Sequence, residues 1–183
     1  MAVLTLTVGW YNLETYQKDR IQVFLNPQLD PLNRGYNVTQ SIIAVGSGQW
    51  TGRGLGLGTQ SRLDFLPEQQ TDFIFASIAE ELGFFGTSLV LGLFVVFFYR
   101  LIYIMKRVRD SYAFLVATGL ASIFFTQVVL NIGMNLGIAP VIGLPLPFLS
   151  AGGSSLIASL ISVGLIQNLA RNYLKQAPID EMV

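Results

Sequence analysis

Residues 73–105 read FIFASIAEELGFFGTSLVLGLFVVFFYRLIYIM, a nearly unbroken apolar run in which residues 82–99 carry no charge. About 20 apolar residues suffice for a helix to cross the hydrocarbon core of a bilayer, so this stretch predicts a long transmembrane helix. Five of the 11 acidic residues, Asp64, Glu68, Asp72, Glu80 and Glu81, crowd the point where the preceding loop enters it. A carboxylate facing lipid would cost about 2.5–3.5 kcal/mol at a helix centre and less near the interface. Glu80 and Glu81 should therefore face protein, and at least one acid of the cluster is a candidate for chemistry.

Working outward, two further apolar stretches follow at about 112–136 and 154–169. Hydrophobic residues make up 52% of the 183 and charged residues 12%, with a mean hydropathy of +0.55. A soluble core with its polar shell does not reach that balance. Net charge is zero, and no basic cluster with interleaved aromatics argues for nucleic acid. The absence of Cys and His excludes disulfides, thiolate nucleophiles, zinc sites and imidazole catalysis. Proton transfer falls to carboxylates, with Lys and Tyr as the remaining groups. Lys106, Arg107 and Arg109 follow the first span, and Arg171 and Lys175 the third. The positive-inside rule then places residues 106–110 and the C-terminus in the cytoplasm, and residues 11–71 with the acidic cluster outside.

Between the second and third spans, IAPVIGLPLPFLSAGG (138–153) carries Pro140, Pro145, Pro147 and three further glycines. Such a segment cannot be a regular helix, and non-helical backbone at membrane depth is tolerated only against protein or a water-filled cavity. It is read as a re-entrant or interfacial loop folded against the cluster. Gln127, Asn131 and Asn135 recur every four residues as one polar stripe, suited to helix–helix hydrogen bonding or to lining a substrate path. Upstream, MAVLTLTVGW is too short to span and reads as the exit end of a truncated helix (1–12). Residues 16–25 suit a short surface helix with Ile21, Phe24 and Leu25 on one side, and a second is expected over about 38–45 with Asn37 as its cap. GSGQWTGRGLGLG (46–58) lacks the strand–helix frame of a dinucleotide site. It is either a tightly turning loop or a hinge whose amides, with Arg53, approach a phosphate.

The sequence thus predicts an all-α integral membrane protein. It has three full transmembrane helices (about 73–105, 112–136 and 154–169) and the end of a truncated one. A large extracytoplasmic loop (13–71) carries short amphipathic helices, and the membrane part (72–183) includes the re-entrant segment and a cytoplasmic tail.

Several long motifs, in order, resemble the C-terminal half of the SEDS family (shape, elongation, division and sporulation). They are GYNVTQSIIAVGSG from Gly35, GTQSRLDFLPEQQTDFIF from Gly58, EELG from Glu80 and NIGMNLGIAPVIGLPLPFLSAGGSSL from Asn131. The first two look more like the RodA branch than the FtsW branch. The resemblance implies a peptidoglycan glycosyltransferase for cell elongation and shape, in the bacterial cytoplasmic membrane with its active site facing outward. Its substrates would be lipid II and the undecaprenyl-diphosphate-linked glycan, and its partner a class B penicillin-binding protein within the membrane lipids. Asp72 matches the family's essential aspartate, and Asp64 stands where a Glu is common. Gln70 stands where the family often has His, and Ala151 where a Tyr often sits. The family's earlier helices are missing, so the chain alone is expected to be inactive.

Joining lipid-linked sugars needs a base for a sugar hydroxyl and groups that face a departing diphosphate. A carboxylate at the membrane surface can be that base, and Asp72 is the candidate; the alternative is a first-turn acid complementing the helix dipole. Asp64 and Glu68 are candidate substrate contacts. Arg53 and the amides of Gly152, Gly153, Ser154 and Ser155 are the groups available to the diphosphate. Glu80, Glu81, Gln127 and Asn131 would support the cavity. No metal ligand set and no cofactor are assigned, and a divalent cation stays open. The competing classes are a flippase or transporter of lipid-linked precursors, which would also carry intramembrane acids and broken helices, and a structural fragment that only binds a partner.

Overall fold

The computed structural model describes residues 14–31, 33–62, 68–106, 108 and 110–174. The expected helix end at 1–12 lies outside these residues, as do Asp64, Arg107, Arg109 and Lys175. In chain order the helices are α1 (Thr15–Leu25), α2 (Arg34–Ser47), the single turn α3 (Thr59–Arg62), α4 (Ile74–Met105), α5 (Ser111–Asn135) and α6 (Gly153–Leu174), with a 3-10 turn at Pro27–Leu29. Among the described residues there is no strand. Helices α4, α5 and most of α6 are long and apolar enough to cross a membrane.

Local chemistry sets the ends of the short helices. At the start of α1 the Glu14 amide donates to Gln17 Oε1 at 3.1 Å. The helix stops at Asn26, since the residue before Pro27 is disfavoured from helical geometry. Helix α2 begins four residues earlier than the sequence predicts, so Asn37 lies inside it rather than capping it. Asp30 does the work instead: its Oδ2 accepts from the Arg34 amide at 3.2 Å and its Oδ1 from Asn33 Nδ2 at 3.0 Å.

Helix α4 is longer than a bilayer requires, and it is broken at Gly83, where φ is 64° and ψ −164°. An L side chain rarely adopts that conformation. The glycine-rich stretch crosses α4 at this break, backbone on backbone. A Cβ at Gly48 would lie 1.8 Å from the Ala79 carbonyl oxygen, and one at Gly52 2.1 Å from that of Glu81. The crossing carbonyls and amides pair: Arg53 and Gly54 donate to the Glu80 and Glu81 carbonyls, and Phe84 and Phe85 donate to those of Gln49 and Trp50. The alternation of glycines is therefore a packing device. Beyond the break, residues 84–105 rise about 33 Å, close to the ~30 Å hydrocarbon thickness, which leaves Glu80 and Glu81 on the loop side of the span.

The three long helices pack through small residues at one end and a polar network at the other. Ala113, Ala117 and Ala121 are buried along one face of α5, and such small side chains let membrane helices approach closely. Leu101, Ala117, Ala121 and Ile166 form the core at the end bearing Lys106 and Arg171. At the opposite end Phe75, Phe94, Val128 and Leu146 pack α4 and α5 against the proline-rich segment. The outward faces stay apolar, with Leu89, Leu93, Val95 and Phe125 all exposed.

Candidate active site at the polar end of the bundle

The N-terminus of α4, the C-terminus of α5 and the N-terminus of α6 meet at one end, where the buried half of the polar stripe becomes a clamp. Asn131 Nδ2 donates to the carbonyls of Asp72 (2.9 Å) and Leu144 (2.8 Å). Asn135 Nδ2 donates to the Asp72 carbonyl at 3.1 Å, and its Oδ1 accepts from the Ala76 amide at 3.0 Å. Phe73, at the N-cap of α4, has no side-chain cap of its own. Asn135 reaches over from α5 and satisfies one of the amides that every helix start leaves open. Ser41 of α2 completes the clamp by donating to the Asn135 carbonyl at 2.9 Å. Asn131, Asn135 and Ser41 are all fully buried, so each bond is made where water cannot replace it.

The proline-rich segment, expected over 138–153, is non-helical from 136 to 152 and is stitched to the residues before α4. Ser150 Oγ donates to the Thr71 carbonyl at 2.6 Å and accepts from the Leu146 amide at 2.7 Å. The Ala151 amide donates to the Gln70 carbonyl at 2.7 Å. The two positions that depart from the resembled pattern, Gln70 and Ala151, thus touch each other through the backbone. Three successive carbonyls, those of Gln70, Thr71 and Asp72, are held from the other side of the bundle.

The backbone of Asp72 is fixed in this way, while its carboxylate has no hydrogen-bond or ion-pair partner among the described residues. Gly143 lies against it: a Cβ there would sit 3.2 Å from Asp72 Oδ2. Burial, and secondarily the charge of Glu68, push the Asp72 carboxyl above the ordinary aspartate range. Glu68 adopts the left-handed region at φ 57°, uncommon without a glycine. Its carbonyl accepts from the amides of Thr71, Asp72 and Phe73, and its Oε2 accepts from Thr71 Oγ1 at 2.8 Å. Strained backbone of this kind collects at functional sites.

The other predicted residues fall into separate groups. Glu80 is fully buried; its Oε1 accepts from the Gln60 amide at 2.9 Å and Thr59 Oγ1 at 3.3 Å. Arg53 Nη1 donates to the same Thr59 hydroxyl at 2.9 Å, so Arg53 belongs to the Glu80 cluster. Glu81 is half-buried and lines a cleft of about 340 Å³ with Gln69, Gln70, Ile74 and Ser77, which Asp72 does not line. Gln127 faces Pro145, Pro147 and Ser155 across a narrower cleft. Gly153 and Ser154 are exposed at the start of α6, with Ser155 Oγ donating to the Gly152 carbonyl at 2.9 Å. Among the described residues no three acids converge to hold a metal ion. Sequence reasoning missed Arg20, whose Nη1 donates to the Ile142 carbonyl at 3.0 Å, one residue from the glycine that abuts Asp72.

Residues 1–175 match the family model described as "Cell cycle protein", that of FtsW, RodA and SpoVE. The chain is 46% identical over 157 residues to the peptidoglycan glycosyltransferase RodA of Treponema pallidum, covering 86% of this chain and 36% of that protein. It is 45% identical to the peptidoglycan glycosyltransferase MrdB of Escherichia coli K12 (90% and 45%), and 48% identical to stage V sporulation protein E of Bacillus subtilis (90% and 44%). A solved structure on polymerization and crosslinking by a peptidoglycan synthase complex superposes with a TM-score of 0.72 at 35% identity, over 94% of this chain and 46% of that one. The chain spans less than half the length of these relatives. Family and helices together make this a multi-pass membrane protein, and the chain belongs to the FtsW/RodA/SpoVE family.

Proposed function

We propose that this chain carries the catalytic carboxylate of a peptidoglycan glycosyltransferase, with Asp72 as general base. The observation that carries the reading is a carboxylate on hydrogen-bonded backbone, with no donor to it among the described residues, at the polar end of a membrane bundle. In the reaction a sugar hydroxyl of one lipid-linked substrate attacks the anomeric carbon of another. Its proton passes to Asp72 as the new glycosidic bond forms, and the bond to the lipid diphosphate breaks. A raised pKa makes the carboxylate a stronger base. A base whose backbone is held by hydrogen bonds gains from pre-orientation what a mobile one loses.

The relatives' names support this reading, and so does the position of Asp72 outside the spanning stretch of α4, which favours chemistry at the membrane surface over carriage through it. On this reading the substrate is lipid II, the partner a crosslinking penicillin-binding protein, and the Asp72 end faces outward from the cytoplasmic membrane. The test is polymerisation of lipid II by a polypeptide of the relatives' full length that contains this chain. Asp72→Asn should lower the rate by about 10²–10⁴-fold, as expected for loss of a general base. Near-normal glycan synthesis by folded Asp72→Asn protein would refute the assignment.

A further inference from the structure

The structure assigns a second site: a cationic cleft formed by Arg20 and Arg34, which we propose binds the phosphate of a lipid headgroup or of a soluble diphosphate. The two side chains come from α1 and α2 and line one cleft with Val23, Phe24, Pro140 and Val141. Its interior holds about 10 Å³, room for one water, so a phosphate would sit at the mouth on the guanidinium edges.

Arg20 is not an ordinary solvated cation. Its guanidinium lies 5.8 Å from the Tyr16 ring centre, its Nη1 donates to Ile142, and its Nε is buried with no acceptor. Nη2 makes no hydrogen bond and is not among the buried unsatisfied atoms, so it reaches solvent. The Arg34 guanidinium likewise makes no hydrogen bond among the described residues. Neither arginine has an ion-pair partner there. The nearest acid in sequence to Arg34 is Asp30, and both its oxygens already accept, from Asn33 Nδ2 and the Arg34 amide. The solvent-reaching Nη2 of Arg20 and the unbonded guanidinium of Arg34, lining one cleft and without an ion-pair partner among the described residues, suit a phosphate, which accepts several N–H donors. Arg53 Nε and Nη1 are committed elsewhere, to Ser47 and Thr59, whereas Arg20 and Arg34 share their cleft with Pro140 and Val141 of the proline-rich segment.

The site stands independently of the reaction assigned to Asp72, and its test reads binding. The chain is reconstituted in phosphatidylcholine nanodiscs and titrated with inorganic pyrophosphate by phosphorus NMR. In parallel, phosphatidylglycerol retained by chain released from mixed nanodiscs is counted by native mass spectrometry. Arg34→Gln removes a guanidinium with no hydrogen bond among the described residues and should weaken binding about tenfold or more, and Arg20→Lys should weaken it less than Arg20→Gln. Arg171→Gln at the far end of the bundle should leave it within about twofold of the unaltered chain. Arg34-dependent pyrophosphate binding identifies a soluble or diphosphate source, and Arg34-dependent retention of phosphatidylglycerol alone identifies a lipid headgroup. Binding that Arg34→Gln does not weaken, or no binding in either arm, overturns the proposal.

Discussion

Asp72 and Glu80 stand two turns apart at the start of one helix, and the fold treats them oppositely. Glu80 is fully buried and receives the Gln60 amide and the Thr59 hydroxyl, with Arg53 behind the latter. Asp72 is half-buried and receives nothing from the described residues, although everything around its backbone is clamped. A buried carboxylate given donors is a structural bolt, because removing it orphans those donors. A carboxylate denied donors on a rigid mount is destabilising where it stands, and folds keep such groups for chemistry.

The comparison can be broken at four points. The largest effect is the loss of roughly 10²–10⁴-fold in polymerisation for Asp72→Asn, with helical content unchanged by circular dichroism. Glu80→Ala should act on folding instead. The Gln60 amide and Thr59 hydroxyl, orphaned at about 1–3 kcal/mol each, predict a loss of about 2–6 kcal/mol, measured by chemical unfolding in micelles. If Glu80→Ala folded normally and only slowed polymerisation, the two acids would have to exchange roles. Asn135→Ala removes the cap on Ala76 and one hold on the Asp72 carbonyl. It should cost about 1–2 kcal/mol and about ten- to hundredfold in rate, since small misplacements of a catalytic group are expensive. Glu68→Gln is the smallest. The Glu68 charge helps raise the Asp72 pKa, so its removal should move the acidic limb of the pH–rate profile down. An upward shift would mean that Glu68 acts by another route.

Much of this arrangement was legible in the sequence, for identifiable reasons. Charge-free apolar runs mark the three spans, because nothing else in a protein tolerates them at that length. Three prolines rule helix out of the segment that became the stitched loop. The residues that hold the site were less visible. Asn131 and Asn135 showed as a stripe, but only the fold reveals that they reach the Asp72 carbonyl, 59 and 63 residues away. The break at Gly83 hides inside an apolar run, since a lone glycine in a helix seldom signals that a loop crosses it. Glu80 and Glu81 are adjacent letters with different fates: one faces the Thr59 turn and the other a cleft. Arg20 sits in a charged stretch that reads as a solvated helix face, and its contact is with a carbonyl 122 positions on.

The central claim is that the Asp72 carboxylate has no partner among the described residues, and the thermal stability of Asp72→Asn tests it without any substrate. Burial and Glu68 favour the protonated carboxyl in the folded chain, so the folded state holds this proton to higher pH than the unfolded one. Stability therefore falls as pH rises between the unfolded and folded pKa values, and above both the ionised group weighs against folding. Replacing it with neutral Asn should leave the melting temperature of the chain in nanodiscs unchanged or slightly raised at pH 7, with the difference vanishing in acid. A drop at pH 7 as large as that of Glu80→Ala would contradict the account and make Asp72 another bolt.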